Sequence, residues 1–321
     1  MFCRRGDPMN LLYWLADLRT AVGDAFFMTV TNLGDEAAAI AILLIVFWCI
    51  NKKAGYFMVY STVFGMLVNQ FLKSLFEIPR PWIRDPQFQA VAAAKETAGG
   101  YSFPSGHTAN AVAVYGSAGL YFKKNWVRIL CVAIIAIVAL SRMYLGVHTP
   151  ADVGVSLVVG LVMILVLKWA LEKTDTSEKA FWILQVVMLL SSVGLFLYLN
   201  AKGIPNDPNL TEEELIHGAA SALENSWKIL GMWLGLAISH WYDRFRKPFV
   251  TEAIWWAQIL KFVIGIGLVL AVKSGLKAPL LALFGGHQVA NAVRYFLILL
   301  MAGLIWPQTF VFWSKLGRKN K

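Results

Sequence analysis

The sequence predicts an all-α integral membrane protein with about nine transmembrane helices and an N-terminal amphipathic helix. Of its 321 residues, 58% belong to the set AVILMFWYC and only 15% are Asp, Glu, Lys or Arg. Soluble domains run nearer ~45–50% apolar and ~25% charged. The mean hydropathy is +0.59, and apolar runs near the ~20 residues that a bilayer core demands recur along the chain. These observations exclude a disordered chain, a coiled coil and an ordinary cytosolic enzyme.

Residues 10–30 (NLLYWLADLRTAVGDAFFMTV) carry Asp17, Arg19 and Asp24 at helical spacing, which predicts an amphipathic helix lying in the membrane interface; a tenth span is the alternative. Arg4 and Arg5 are not followed promptly by a clean apolar core, so no cleavable signal peptide is expected. The spans are expected near 36–51, 54–75, 106–122, 127–145, 151–171, 179–199, 223–241, 251–272 and 288–312. The charged link EKTDTSE at 172–178 is the clearest internal boundary. It divides the chain into an interfacial segment (1–35), a five-span core (36–171) and a four-span extension (172–321).

The net charge of +10 could suggest nucleic acid, but the charges sort by loop. Lys52 and Lys53, Lys123 to Arg128, Lys173 and Lys179, Arg244 to Lys247, and the tail Lys315, Arg318, Lys319 and Lys321 fall in one alternating set of loops. The other set (76–104, 145–150, 200–222, 273–287) is poorer in Lys and Arg and holds the acidic run Glu212, Glu213, Glu214. The positive-inside rule assigns the first set to the cytoplasm and the second to the outside. The basic balance is therefore a topology signal, and no nucleic-acid partner is expected. Cys3, Cys49 and Cys131 have no disulfide or zinc spacing and read as small buried hydrophobes.

Three polar clusters sit at span ends on the expected outer face. In Lys73-Ser-Leu-Phe-Glu-Ile-Pro-Arg80-Pro81 the two cations are seven apart, so one helix face could present both, while Pro79 and Pro81 break the helix at its exit. In Pro104-Ser105-Gly106-His107 the serine suits an N-cap, and free N–H groups at a helix start attract anions. In the third cluster Ser141-Arg142 precedes His148, Thr149-Pro150 reads as an N-cap with Pro at the first helical position, and Asp152 lies one turn from His148. Together they offer three cations, a helix start, two histidines and a carboxylate, the parts of a phosphate site with its own nucleophile and acid.

Lys73-x6-Arg80-Pro81, Pro104-Ser105-Gly106-His107 and Ser141-Arg142-x5-His148-x3-Asp152 match, in order, the three signature motifs of the type-2 phosphatidic acid phosphatase superfamily. The resemblance covers roughly 36–171. The flanking LGDE, YSFPSGHTAN and SRMYLGVHTPADV look most like bacterial membrane members, and the four further spans resemble the longer layout of glucose-6-phosphatase and sphingosine-phosphate phosphatases. The resemblance implies that His148 attacks phosphorus to form a phosphohistidine and that Asp152 fixes its tautomer. It implies that His107 protonates the leaving oxygen and then activates water. Lys73, Arg80, Arg142, Ser105 and the Gly106 N–H would hold the phosphoryl oxygens. Side-chain cations would then do the work of Mg²⁺, so no metal and no cofactor are expected.

Other polar residues have two readings. The stretch 82–103, with Arg84, Asp85, Lys95 and Glu96, is a lid or a solvated loop. Asp35 and Glu36 line the site mouth or mark the interface. Lys261 and Arg294 lie deep in the eighth and ninth spans, and His287, Asn291 and Arg294 share a helical spacing. They form a second anionic pocket or a structural polar network. Asn209-Leu210-Thr211 is a glycosylation sequon that matters only in a eukaryotic secretory membrane. The expected function is hydrolysis of a lipid phosphate or lipid pyrophosphate at the outer face of a bacterial cytoplasmic membrane. Undecaprenyl pyrophosphate and phosphatidylglycerol phosphate lead the substrate candidates. A phosphotransferase with an alcohol acceptor, or a non-enzymatic lipid carrier, would be the alternatives.

Overall fold

A computed structural model describes residues 9–205 and 210–316, and among these residues there is no β-strand. The α-helices are α1 (Met9–Asp17), α2 (Ala21–Thr31), α3 (Glu36–Ile45), α4 (Lys52–Phe76), α5 (Pro81–Arg84), α6 (Ala92–Thr97), α7 (Gly106–Ala111), α8 (Ser117–Phe122), α9 (Asn125–Tyr144), α10 (Pro150–Thr176), α11 (Glu178–Lys202), α12 (Glu212–Phe245), α13 (Trp255–Gly275), α14 (Lys277–Leu283), α15 (Val289–Leu300) and α16 (Phe310–Lys315). Single π-helical turns interrupt the helical path at Val46–Ile50, Val112–Gly116 and Met301–Ile305.

The stretches expected to span are mostly helical, but 36–51, 106–122 and 288–312 each run through a π turn, and 251–254 precede α13. Among the described residues five helices are long and apolar enough to cross a membrane: Asn125–Tyr144, Pro150–Thr176, Glu178–Lys202, Trp255–Leu283 and Val289–Lys315. The pair Ala21–Gly34 and Glu36–Ile50, bent by 53°, makes a sixth if it counts as one span. The single amphipathic helix expected over 10–30 is two helices instead. Thr20 caps α2, its hydroxyl accepting from Gly23 N at 3.0 Å, and Arg19 turns aside to donate to the Tyr144 carbonyl at 2.9 Å. An N-cap of this kind begins a new helix rather than continuing the old one. Cys3, Asn209 of the sequon and the basic tail from Arg318 onward lie outside the described residues.

The chain divides into two compact units that are discontinuous in sequence. The described part of the first comprises residues up to Ala39, Phe64–Leu167 and Tyr198–Leu223, without 206–209. Its loop 82–103 is packed rather than loose. Phe88 and Ala94 are buried, Val91 N donates to the Leu145 carbonyl at 3.0 Å, and Tyr13 donates to Asp85 at 2.8 Å. Ala94, Tyr144, Leu145 and Val147 form a core joined by Phe27 and Trp82. Burying such side chains contributes about 1.5–3 kcal/mol each.

Helix α9 ends in a Schellman turn: Val147 N donates to Arg142 O at 3.1 Å and Gly146 N to Met143 O at 3.0 Å. Gly146 takes φ +76°, and a Cβ there would fall 2.9 Å from the Phe88 ring, so this turn needs glycine. Gly34 is similarly constrained, since a Cβ would lie 2.9 Å from the His107 carbonyl oxygen.

The second unit comprises Ile40–Val63, Lys168–Leu197 and Glu224 onward. Its π turns are used as acceptors. The Trp48 carbonyl takes a bond from Lys261 at 2.9 Å, and the Ala302 carbonyl takes one from the Trp48 indole at 2.8 Å. A buried chain runs from the Gln185 amide to Tyr60 OH at 2.8 Å and on to His240 Nδ1 at 2.8 Å. Such bonds keep buried polar groups satisfied. Lys52 pairs with Asp243 at 2.9 Å.

Candidate active site

The three motif clusters converge in the first unit. Thr149 and Asp152 cap α10 reciprocally: Thr149 N donates to Asp152 Oδ2 at 2.7 Å and Asp152 N to Thr149 Oγ1 at 3.3 Å. Pro150 occupies the first helical position, where its missing N–H costs nothing. The cap fixes His148 immediately before the helix, with Nδ1 3.5 Å from Asp152 Oδ2. Both residues are buried.

On the other side of the ring, Arg80 Nη1 lies 3.0 Å from His148 Nε2. A guanidinium only donates, so Nε2 accepts, and the single proton of a neutral imidazole sits on Nδ1. Burial, reinforced by the nearby Arg80, Arg142 and Lys73 cations, holds the His148 ring well below the usual imidazole range. Burial also brings Arg80 down to about 10, opposed by Asp152, which leaves it charged at neutral pH.

Arg80 and Lys73 do not share a helix face. Helix α4 stops at Phe76, and Pro79 and Pro81 hold Arg80 in extended backbone at the start of α5. One segment of the 82–103 loop steers both cations. Arg80 Nη2 donates to Gly99 O at 2.7 Å, Arg80 Nε to Gly100 O at 2.9 Å, and Lys73 Nζ to Tyr101 O. Arg80 Nη1 also reaches Val147 O at 3.0 Å. Arg142, buried in the last turn of α9, donates to Thr31 Oγ1 at 2.7 Å, while its Nε has no hydrogen-bond partner. Among the described residues no carboxylate lies within ion-pair distance of Lys73, Arg80 or Arg142.

Ser105 is fully buried and caps α7, accepting from Thr108 N at 3.4 Å and Thr108 Oγ1 at 3.0 Å. This puts Gly106 and His107 in the first turn, where N–H groups have no intrahelical partner. Ser105 N donates to Asp152 O at 3.2 Å, tying the second motif to the third. Asn110 donates to Gly34 O at 3.0 Å, so the LGDE segment backs α7. Beside the cluster a cavity of about 1040 Å³ is lined by Arg80, Trp82, Lys95, Tyr101, Leu215 and His217 among others.

Lys261 and Arg294 belong to the second unit and have other partners. Lys261 is fully buried, donates to Trp48 O and Thr251 O at 2.9 Å each, and lies 4.5 Å from the centre of the Phe310 ring. Arg294 donates to Asn291 at 2.8 Å. His287 is exposed and precedes α15, so it does not share a helix face with Asn291 and Arg294.

Sequence reasoning passed over Ser102, Thr31 and the carbonyls of 99–101. Ser102 stands three residues before Ser105 in the quoted YSFPSGHTAN, a hydroxyl beside a motif. Thr31 and the carbonyls have no sequence signal, since their partners are distant in the chain and backbone oxygens are common to every residue.

The model of the PAP2 superfamily matches residues 54–175, and that of the PAP2 superfamily phosphatase transmembrane extension matches 227–319. The chain belongs to the PAP2 superfamily. Similar proteins include a dihydrosphingosine 1-phosphate phosphatase of Schizosaccharomyces pombe, 24% identical over 81% of this chain and 63% of that protein. Phosphatidylglycerophosphatase B of Bacillus subtilis is 27% identical over 50% of this chain and 77% of its own length. The crystal structure of a transmembrane PAP2-type phosphatidylglycerolphosphate phosphatase from Bacillus subtilis covers 52% of this chain and 85% of that one, at 25% identity and a TM-score of 0.45. The chain thus spans less than two thirds of the length of the Schizosaccharomyces pombe relative. Its apolar helices and its family make it a multi-pass membrane protein.

Proposed function

We propose that the chain is a membrane phosphatase that hydrolyses a lipid phosphate or lipid pyrophosphate through a phosphohistidine on His148. The observation that carries this is the convergence of Lys73, Arg80 and Arg142 on His148 with no carboxylate paired to any of them. Collecting buried and half-buried cations with no carboxylate in ion-pair contact is costly, and a phosphoryl dianion would offset that cost. Nε2 of His148 attacks phosphorus while the ester oxygen departs with a proton from His107; water, deprotonated by His107, then cleaves the N–P bond. Lys73, Arg80, Arg142, Ser105 and the Gly106 N–H stabilise the charge on the phosphoryl oxygens, a role that Mg²⁺ fills in other phosphoryl-transfer enzymes. The phosphatase names of the relatives support the same reading.

In this reading residues 36–171 form a five-span core, 172–321 a four-span extension and 1–35 an interfacial segment, nine spans in all. The basic loops face a bacterial cytoplasm, and His107 and His148 face outward. The cavity beside Arg80 receives the polar part of the lipid next to the phosphate. Labelling tests the orientation: a cysteine introduced at position 124 that reacts with an impermeant reagent in intact cells would reverse it.

The function is tested by phosphate release from purified protein in detergent. The panel holds dihydrosphingosine phosphate, phosphatidylglycerol phosphate, undecaprenyl pyrophosphate, phosphatidic acid and water-soluble monophosphates. Release from a lipid, undiminished in excess EDTA, is expected. Loss of activity that Mg²⁺ restores would take the charge-stabilising role away from the side chains, and no release from any member would sink the phosphatase reading.

A further inference from the structure

Asp152 is separated from the nucleophile by a hydroxyl. His148 Nδ1 is 3.5 Å from Asp152 Oδ2 and 3.4 Å from Ser102 Oγ, both longer than a well-formed N–H···O bond in the resting site. Ser102 Oγ lies 2.6 Å from Asp152 Oδ2. The side chain is buried at 1% exposure, and its backbone is pinned by Ser102 N donating to Ile78 O at 2.8 Å. A serine hydroxyl has one proton and two lone pairs. The carboxylate can only accept, so the hydroxyl proton lies in the short Oγ–Oδ2 bond. Since Arg80 donates to Nε2, the ring proton is on Nδ1 and faces a serine lone pair. Donors and acceptors then match along the whole line, from Arg80 through His148 and Ser102 to Asp152.

We propose that Ser102 is a positioning residue that links His148 to Asp152 and passes the carboxylate's stabilisation to the ring as Nε2 becomes bonded to phosphorus. The proposal rests on the phosphohistidine reading above. As the Nε2 lone pair leaves its hydrogen bond from Arg80 Nη1 to form the Nε2–P bond and the P–O ester bond breaks, the ring gains positive charge, the Nδ1–H bond to Oγ strengthens, and Oγ–H strengthens its bond to Asp152. No proton leaves the line. Ser102 also closes the segment whose carbonyls at 99, 100 and 101 hold Arg80 and Lys73. One short stretch of backbone thereby sets the nucleophile and two of the phosphate-binding cations together.

The test uses the full chain and the lipid that the native protein hydrolyses fastest in the panel. Ser102→Ala is expected to lower kcat and the rate of phosphoenzyme formation by about 10- to 100-fold, with KM within about two-fold. Ser102→Thr, which keeps the hydroxyl, should stay within about three-fold of native. Ser102→Cys conserves volume with a poor hydrogen-bonding group and should lose about 10-fold with an unchanged unfolding temperature, which covers the case in which the alanine variant fails to fold. In an Asp152→Asn background, adding Ser102→Ala should change the rate by less than about three-fold, because the serine has no charge left to transmit. Losses that multiply in the double variant would overturn the linkage, as would a native kcat in Ser102→Ala or Ser102→Cys. A native protein that releases no phosphate would overturn the relay and the phosphatase reading together; an active native protein indifferent to Ser102 overturns the relay alone.

Discussion

Arg142 in the first unit and Lys261 in the second are both buried cations on apolar helices, yet their donors are used differently. Lys261 gives two N–H bonds to the Trp48 and Thr251 carbonyls and faces the Phe310 ring. Its polar demand is met by backbone and an aromatic ring. Arg142 gives one bond to Thr31 and keeps a buried Nε without a partner, beside Arg80 and Lys73, whose bonds also go to neutral acceptors. The contrast separates two uses of intramembrane charge. A cation saturated by its own fold holds structure, whereas several cations held by neutral groups keep their charge for an outside anion. Arg294 is the intermediate case, bonded to Asn291 but with its own unpartnered Nε.

The largest effect should come from the histidines. His148→Ala removes the nucleophile, so phosphoenzyme should be undetectable and turnover should fall by about 10⁴-fold or more. His107→Ala should slow lipid turnover by about 10²- to 10⁴-fold. It should still be phosphorylated by a nitrophenyl ester, whose leaving group needs little protonation, and that phosphoenzyme should break down slowly. Acid-labile, base-stable phosphate on His148 is the readout. Phosphoenzyme that survives in His148→Ala and vanishes in His107→Ala would exchange the two assignments.

Next in size is Arg80→Lys. The guanidinium reaches three carbonyls and the imidazole at once, a planar fork that a point-charge ammonium cannot reproduce. A fall in kcat/KM of about 10²- to 10³-fold is expected with charge conserved. Near-native activity would mean that charge alone, and not the fork, sets the first unit apart.

These effects also mark what the chain discloses before it folds. The motifs were readable because caps and reactive groups are short-range: Thr149, Pro150 and Asp152 form one turn, and Ser105 begins another. The stretch 82–103 was ambiguous because its packing depends on Phe88 and Ala94 meeting residues far away in sequence. The apolar spacing over 10–30 reads as one helix because it bridges 18–20, where Thr20 caps a second helix. A shared face for Lys73 and Arg80 followed from counting residues across a helix that ends at Phe76. Lys261 was visible as a buried charge, but its satisfaction by carbonyls was not, since the π turn that exposes Trp48 O leaves no compositional trace.

The second unit should respond in stability rather than chemistry. Lys261→Met keeps the volume but takes the lysine donor from the buried Trp48 carbonyl, while Gln258 still donates to the Thr251 carbonyl at 2.9 Å, so a cost of about 1–3 kcal/mol is expected. A lower unfolding temperature with unchanged kcat on a soluble ester is expected. Arg294→Gln should likewise spare turnover of the soluble ester while altering protein level or lipid preference. If Arg294→Gln removed all turnover at native protein level, the division between the units would fail and Arg294 would join the catalytic group.

The smallest expected effect is on the pH dependence of stability. Burial and the surrounding cations depress the His148 pKa well below that of a free imidazole. In the unfolded chain the same ring titrates near about 6.5. As pH falls through that value, the unfolded state takes up a proton that the folded state refuses, so stability is lost on the acid side and unaffected above it. Between pH 7 and 5.5 the loss due to this one ring should be about 1 kcal/mol, while carboxylates, which titrate near about 4, contribute little. The measurement is unfolding in detergent at several pH values for the native protein and His148→Gln, whose amide can still accept from Arg80. The native protein should lose more stability over this window than the variant. The reverse result would mean that folded His148 is protonated and ion-paired with Asp152 across 3.5 Å. The first unit would then neutralise its own charge much as the second does, and the contrast between Arg142 and Lys261 would no longer separate binding from structure.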